Sequence, residues 1–96
     1  MSLGTSDDFK IFLRTASDVL QDFTKTAGMP ANRESQLIVM LGLTTKAEEL
    51  LEASKKVVNV NAEEKEALKK MRLALIKIKL ARPKISEELA QIAGGQ

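Results

Sequence analysis

Four pairs of adjacent carboxylates are the residues of this chain that come nearest to a catalytic or metal-binding pattern. They are Asp7-Asp8, Glu48-Glu49, Glu63-Glu64 and Glu87-Glu88. Two carboxylates that converge can serve hydrolysis or bind a divalent cation. Neighbouring residues on a helix, however, point about 100° apart and do not converge. Most of the pairs fall in expected first turns of helices, where acids complement the helix dipole. We therefore interpret the pairs as structural.

The other residue types that usually carry catalysis or hold a cofactor are missing from the sequence. The 96 residues include no Cys, His, Trp or Tyr. Thiolate and imidazole groups are thus excluded both as catalysts and as metal ligands. The chain has no Gly-rich phosphate loop and no Gly-x-Ser-x-Gly elbow. The sequence therefore predicts a protein that is not an enzyme and that binds no cofactor and no metal.

Basic residues are concentrated in one segment. Residues 65–84 contain eight Lys or Arg and a single acid, Glu66, whereas residues 1–64 contain seven Lys or Arg and ten acids. A candidate basic patch consists of Lys69, Lys70, Arg72, Lys77, Lys79 and Arg82. Such a patch could contact nucleic-acid phosphate, acidic lipid or an acidic protein. Its side chains split into separate sectors of the helix, which favours an ordinary solvated surface instead.

Helices are the elements that must position these residues. Apolar residues recur with the i, i+3, i+4, i+7 spacing of amphipathic helices. This pattern predicts helices over about 7–27, 33–57 and 62–82, with a shorter one over 86–93. Candidate N-caps are Thr5 or Ser6, Asn32, Asn61 and Ser86. Pro83 should end the third helix.

The second helix is ambiguous because Gly42 could break it. Its apolar face stays in phase on both sides of Gly42, from Met40 to Val57, which favours one long helix. A short connection at 58–61 then makes the second and third helices antiparallel neighbours. The predicted core is Phe12, Ala16, Phe23, Met40, Leu43, Leu51, Leu68, Met71, Leu75 and Ile78.

The fold predicted by these elements is an all-α, small up-down helical bundle of three long helices plus a short C-terminal helix. It forms one domain over residues 1–96, with flexible ends at 1–5 and 94–96. No apolar run approaches the length of a membrane span, and no signal-peptide pattern is present. We therefore expect a cytoplasmic protein that does not enter a membrane.

Two helices each carry a second apolar face beyond the one that the core needs. Antiparallel pairing about the 58–61 turn would bring residue 41 level with residue 78, so both extra faces would lie at one end of the bundle. The predicted interface is therefore Leu37, Ile38, Leu41, Leu73, Ile76 and Leu80. If exposed, it would measure on the order of 600 Å², at or beyond the usual limit for a soluble monomer.

A second copy of the chain is the expected cover for this surface, in a homodimer. Two alternatives remain open at this point. The last helix could fold back over the surface with Ile85, Leu89 and Ile92. The register could instead differ by a helical turn, so that one of the extra faces joins the core.

These features predict a small non-enzymatic helical protein–protein interaction module, acting as an adaptor, a chaperone-like subunit or an assembly subunit. The alternative is a nucleic-acid-associated accessory protein that uses the basic 65–84 helix. Specific nucleic-acid binding is not expected, because this helix mixes its Lys residues with two apolar faces. The chain also offers no exposed aromatic platform for stacking bases once its three Phe residues are buried.

Overall fold

The computed structural model describes residues 3–29, 32–58 and 60–95 as an all-α bundle. Its helices are α1 Leu3–Gly28, α2 Arg33–Ser54, α3 Ala62–Leu80 and α4 Arg82–Gly94. The first three pack as an up-down bundle, and α4 follows α3 after one residue as the outer arm of a bent third helix. No strand occurs among the described residues. The predicted fold class is confirmed.

The starts of α2 and α3 are fixed by the two asparagine caps that the sequence indicated. Asn32 Oδ1 accepts a hydrogen bond from the backbone N–H of Ser35 at 3.0 Å. Asn61 Oδ1 accepts one from the N–H of Glu64 at 2.8 Å, and the Glu64 carboxylate accepts one from the N–H of Asn61 at 3.0 Å. This reciprocal pair is a capping box, which satisfies backbone donors that have no partner inside the helix. Both cap predictions are confirmed.

The other two predicted caps are wrong. The first helix already begins at Leu3, so it continues through Thr5 and Ser6 instead of starting after them. The last helix begins at Arg82, so Ser86 lies within it, and Ala81 supplies no side-chain cap. Pro83 ends α3 as expected, but it does not require a loop. Proline is tolerated in the first turn of the next helix, whose N–H groups have no intrahelical partner in any case.

The second helix is continuous through Gly42, as the phase of its apolar residues predicted. It ends at Ser54, three residues before the predicted end at Val57, and residues 55–61 form the connection to α3. Asn59 within this connection lies outside the described residues. So do Met1, Ser2 and Gln96, which belong to the ends that the sequence predicted to be flexible.

The main core lies between α1, α2 and α3. Its buried residues are Phe9, Phe12, Ala16, Val19, Ala47, Val57, Leu68, Leu75 and Ile78. Half-buried Leu43, Leu51, Phe23 and Met71 pack against them. Met40 of the predicted core is also buried, but it belongs to a second cluster described below. The predicted core is therefore confirmed in its membership, although it is divided into two parts.

A second apolar cluster joins α4 to the first half of α2. Leu37, Met40 and Ile85 are its buried residues, and Leu41, Leu89 and Ile92 pack against them. Ile85 thus packs against the part of α2 where Ile78 was expected from the sequence. Ile85 lies seven residues beyond Ile78, so the register differs from the expected one by about two helical turns. The connection between the two helices is also longer than expected, because α2 ends at Ser54 whereas α3 begins at Ala62 as predicted.

Gln36 joins the beginning of α2 to the end of α1. Its buried side-chain amide donates hydrogen bonds to the backbone carbonyls of Thr26, Ala27 and Met29, at 2.5, 3.1 and 3.3 Å. The last carbonyls of a helix have no intrahelical partner, so this amide acts as a C-cap supplied by the neighbouring helix. This role of Gln36 was not predicted from the sequence.

Candidate interaction surface

The outer face of α3, formed by Leu73, Ile76 and Leu80, is an apolar surface that stays exposed among the described residues. These side chains are 54%, 37% and 69% exposed. At about 100° per residue they lie on the side of α3 opposite to Leu75 and Ile78. Those two core residues are buried at 0% and 5% exposure. The outer face is thus additional to a core that is already complete.

The spacing of the outer face is that of a short coiled-coil seam. If Leu73 occupies heptad position a, Ile76 is d and Leu80 is the next a. The seam extends about 10 Å along the helix axis. Positions e and g border such a seam on its two sides and determine which partner it accepts.

Basic residues occupy all four of these bordering positions. Lys70 and Lys77 fall at e, and Arg72 and Lys79 fall at g; we call these four residues the basic flanks. All four are exposed. The sequence analysis placed the same residues in separate sectors and favoured a solvated surface. The separation into two sectors is also what a seam with a basic border on each side requires.

A groove of about 480 Å³ lies beside the outer face. The described residues that line it are Lys65, Glu66, Leu68, Lys69, Arg72, Leu73 and Ile76. Its lining therefore combines aliphatic side chains with three basic residues and one acid. Lys69 and Arg72 are members of the predicted basic patch, whereas the groove between them was not predicted. The signal that could have indicated one is the aliphatic heptad spacing inside the basic segment.

Arg82, a member of the predicted basic patch, has partners on α2, unlike the basic flanks. Its Nε donates to the Thr44 hydroxyl at 3.1 Å, and Nη2 donates to the Thr45 hydroxyl at 2.7 Å. Nη1 lies 3.2 Å from a carboxylate oxygen of Glu48. The guanidinium thus connects the α3–α4 junction to the middle of α2. Its position reflects the register of the two helices, which the sequence pattern did not fix.

The predicted interface residues on α2 separate from those on α3. Leu37 is only 1% exposed and Leu41 is half-buried, because both contribute to the cluster under α4. Their prediction as exposed interface residues is wrong. Ile38 remains 57% exposed on α2, outside the cluster that Leu37 and Leu41 form with α4. An ion pair between Arg33 and Glu88 also joins α2 to α4.

The acidic pairs do not converge on one another, and several of their members have structural partners. Glu64 completes the capping box, and Glu48 pairs with Arg82. Glu88 accepts two hydrogen bonds from the Arg33 guanidinium, at 2.6 and 2.9 Å. These bonds lower the pKa of the Glu88 carboxyl and raise the pKa of Arg33. The structural interpretation of these acids agrees with the contacts.

No group of three or more acids that could hold a metal ion occurs in the described part of the chain. None of its described helices is long and apolar enough to cross a membrane. No protein-family model, curated protein or solved structure matches the sequence or the fold. The outer face, its basic flanks and the adjacent groove are thus the features of the described residues that bear on function.

Proposed function

We propose that this protein is a non-enzymatic, cytoplasmic protein–protein interaction module, such as an adaptor, a chaperone-like subunit or an assembly subunit. The outer face of α3 is its binding surface. The observation that carries the proposal is the exposure of Leu73, Ile76 and Leu80 on the side of α3 that faces away from the core. The core does not need these three side chains.

The chemistry of the outer face supports binding to another helix. Aliphatic residues at a and d positions contribute to stability only when a second helix covers them. On a surface helix without a partner, polar residues would serve as well and would keep the apolar surface small. The seam contains only three aliphatic residues, so the interface is small, in the range of transient complexes.

Self-association in a homodimer stays a prediction, and the basic flanks oppose its simplest form. Two copies that joined through the same seam would bring Lys and Arg residues close to Lys and Arg residues. Like charges that face each other across an interface are unfavourable. A dimer through the outer face would therefore depend on salt to screen this repulsion.

Nucleic-acid association through the basic 65–84 segment is the second candidate. The exposure of the basic flanks supports attraction to phosphate. Because the seam lies between these flanks, a groove of duplex DNA would meet Leu and Ile side chains. Such binding would be weak, independent of sequence and steeply dependent on salt.

The proposal is tested by affinity purification of tagged protein from source-cell extracts, with Leu73→Glu and Leu80→Glu compared with wild type. We expect both variants to stay folded by circular dichroism and to lose the same co-purifying proteins. Val39→Glu is the matched control, because Val39 is 51% exposed on α2 and lies outside the outer face. Light scattering on the same proteins measures self-association. The proposal is wrong if the outer-face variants retain every partner and the oligomeric state of wild type.

A further inference from the structure

We infer that the outer face of α3 and its groove dock an acidic amphipathic helix from another protein. This inference rests on the proposed function and specifies the chemistry of the partner. The partner helix would present aliphatic residues at its own a and d positions, with Asp or Glu on both sides of that stripe.

The shape of the surface favours a helix as the occupant. An amphipathic helix that lies in an apolar groove is anchored by side chains spaced one turn apart. Leu73 and Ile76 both line the groove and also belong to the a–d–a seam that Leu80 completes. The seam thus offers successive contacts along one direction, which a partner helix would match turn by turn. A membrane surface is a poorer occupant, because this face has no Trp or Phe to anchor it at a lipid boundary.

The charge of the surface determines which helix fits. Between residues 65 and 80, α3 exposes Lys65, Lys69, Lys70, Arg72, Lys77 and Lys79, with Glu66 as the only acid. The ion pairs found within the described residues join Arg33 to Glu88, Lys55 to Glu52 and Arg82 to Glu48. None of the six basic residues of α3 takes part in them.

Some of the six basic residues lie near acids of the same chain. Glu66 precedes Lys69 and Lys70 by three and four positions on α3, although no ion pair forms between them. Lys79 contributes to the lowered pKa of Glu52, after the larger effect of the Lys55 hydrogen bond. Glu52 is thus already paired, and Lys79 keeps an exposed ammonium group. The basic border therefore remains available on both sides of the seam to carboxylates from a partner helix.

A second copy of the chain fits the same surface less well. Its own outer face would bring basic residues to every e and g position, and a homotypic seam would then lack any charge complementarity. An acidic helix converts each of these positions into a favourable pair. The property to measure is therefore the difference in binding affinity between an acidic and a basic partner helix.

The test uses two designed peptides of four heptads, each with Leu at a and d. One peptide carries Glu at e and g, and the other carries Lys. Binding of each labelled peptide to the full chain is measured by fluorescence anisotropy at about 150 mM salt, near physiological ionic strength. We expect the Glu peptide to bind about tenfold or more tightly than the Lys peptide, because charges across an interface select between partners.

Variants of the protein assign the binding to the inferred surface. Leu73→Glu should abolish binding of the Glu peptide. Lys70→Glu with Lys77→Glu should remove most of the preference for the Glu peptide, because Arg72 and Lys79 then provide the only basic border. Val39→Glu, outside the outer face, should bind like wild type. Circular dichroism of each variant establishes that a loss of binding does not reflect unfolding.

Four outcomes would overturn the inference. They are equal binding of the two peptides, no binding of either, tighter binding of random duplex DNA or anionic vesicles, and closure of the face by self-association. These results are distinguishable from a failure of the proposed function. If the extract partners depend on Leu73 and Leu80 but the Glu peptide does not bind, the interaction module stands and the acidic helix is wrong. If no partner depends on these residues, the proposed function itself is wrong.

Discussion

The two apolar faces of α3 have the same kind of side chain but different surroundings. Leu68, Leu75 and Ile78 contact α1 and α2 and are at most 8% exposed. The outer face, formed by residues of the same types, is 37–69% exposed. Burial of a large aliphatic side chain stabilises a protein by roughly 1.5–3 kcal/mol. Only the first face makes that contribution within the chain.

Hydrophobic periodicity identifies the apolar faces of a helix but does not determine which element covers each face. Both faces of α3 repeat at helical spacing, and both could have been placed in a core. Three helices can bury one face of each against the others. A further face is left over unless a fourth helix folds back, and α4 instead extends beyond α3 to cover α2.

The largest expected effect is the difference in stability between substitutions on the two faces of α3. Leu75→Ala should lower the free energy of unfolding by about 2–5 kcal/mol, because it leaves a cavity at a site with 0% exposure. Leu73→Ala removes the same atoms from the outer face and should change it by no more than about 0.5 kcal/mol. Urea unfolding followed by circular dichroism measures both. Equal effects of the two substitutions would remove the distinction between the faces.

Leu37 and Ile38 on α2 give a second contrast between a buried and an exposed aliphatic side chain. Leu37 is covered by α4, whereas Ile38 is not. Leu37→Ala should lower the free energy of unfolding by about 2–3 kcal/mol, near the lower end for buried leucine because this small cluster can partly collapse. Ile38→Ala should be nearly neutral. A neutral Leu37→Ala in thermal or urea unfolding would mean that α4 does not cover α2 in solution.

The smallest expected effect concerns the pair that joins α4 to α2. Hydrogen bonds from Arg33 lower the pKa of Glu88 in the folded state. A group of this kind contributes stability above its unfolded pKa, near 4.3, and loses the contribution as the pH falls through its lower folded pKa. We therefore expect Glu88→Gln to lower the melting temperature slightly at about pH 6. The difference from wild type should shrink toward about pH 3.

Glu52 provides the control for this pH dependence. Its pKa is also lowered, mainly by a hydrogen bond from Lys55, but this pair lies at the end of α2 and does not join two helices. Glu52→Gln should therefore leave the protection of α4 amides from hydrogen exchange unchanged, whereas Glu88→Gln should reduce it. If both substitutions reduce it equally, the Arg33–Glu88 pair does not hold α4 in place.

Local sequence determined most of the secondary structure and the main core. Asn32 and Asn61 each supply an oxygen that accepts a nearby N–H, so these caps need no tertiary contact. The continuity of α2 through Gly42 follows from the phase of its apolar residues, since one glycine costs only about 1 kcal/mol in a helix. The start of α4 was missed because proline was interpreted as a stop and not as a first-turn residue.

The candidate surface was predicted only in part. The aliphatic spacing of Leu73, Ile76 and Leu80 is visible in the sequence, and so are the basic residues beside it. The position of Leu37 was not predictable in the same way, because its exposure depends on which helix lies against α2. Arg82 shows the same limit, since its partners are hydroxyl and carboxylate groups almost forty positions earlier in the chain.

The sequence by itself determined where the helices lie, which of their faces are apolar and where positive charge is concentrated. These properties depend on residues within a few positions of one another. Only the tertiary structure decided the register of α2 against α3 and α4. That register depends on where α2 ends and on the path of residues 55–61, and a change of one turn exchanges the residues that face each other. It placed Leu37 under Ile85, gave Arg82 its partners and left the outer face of α3 open.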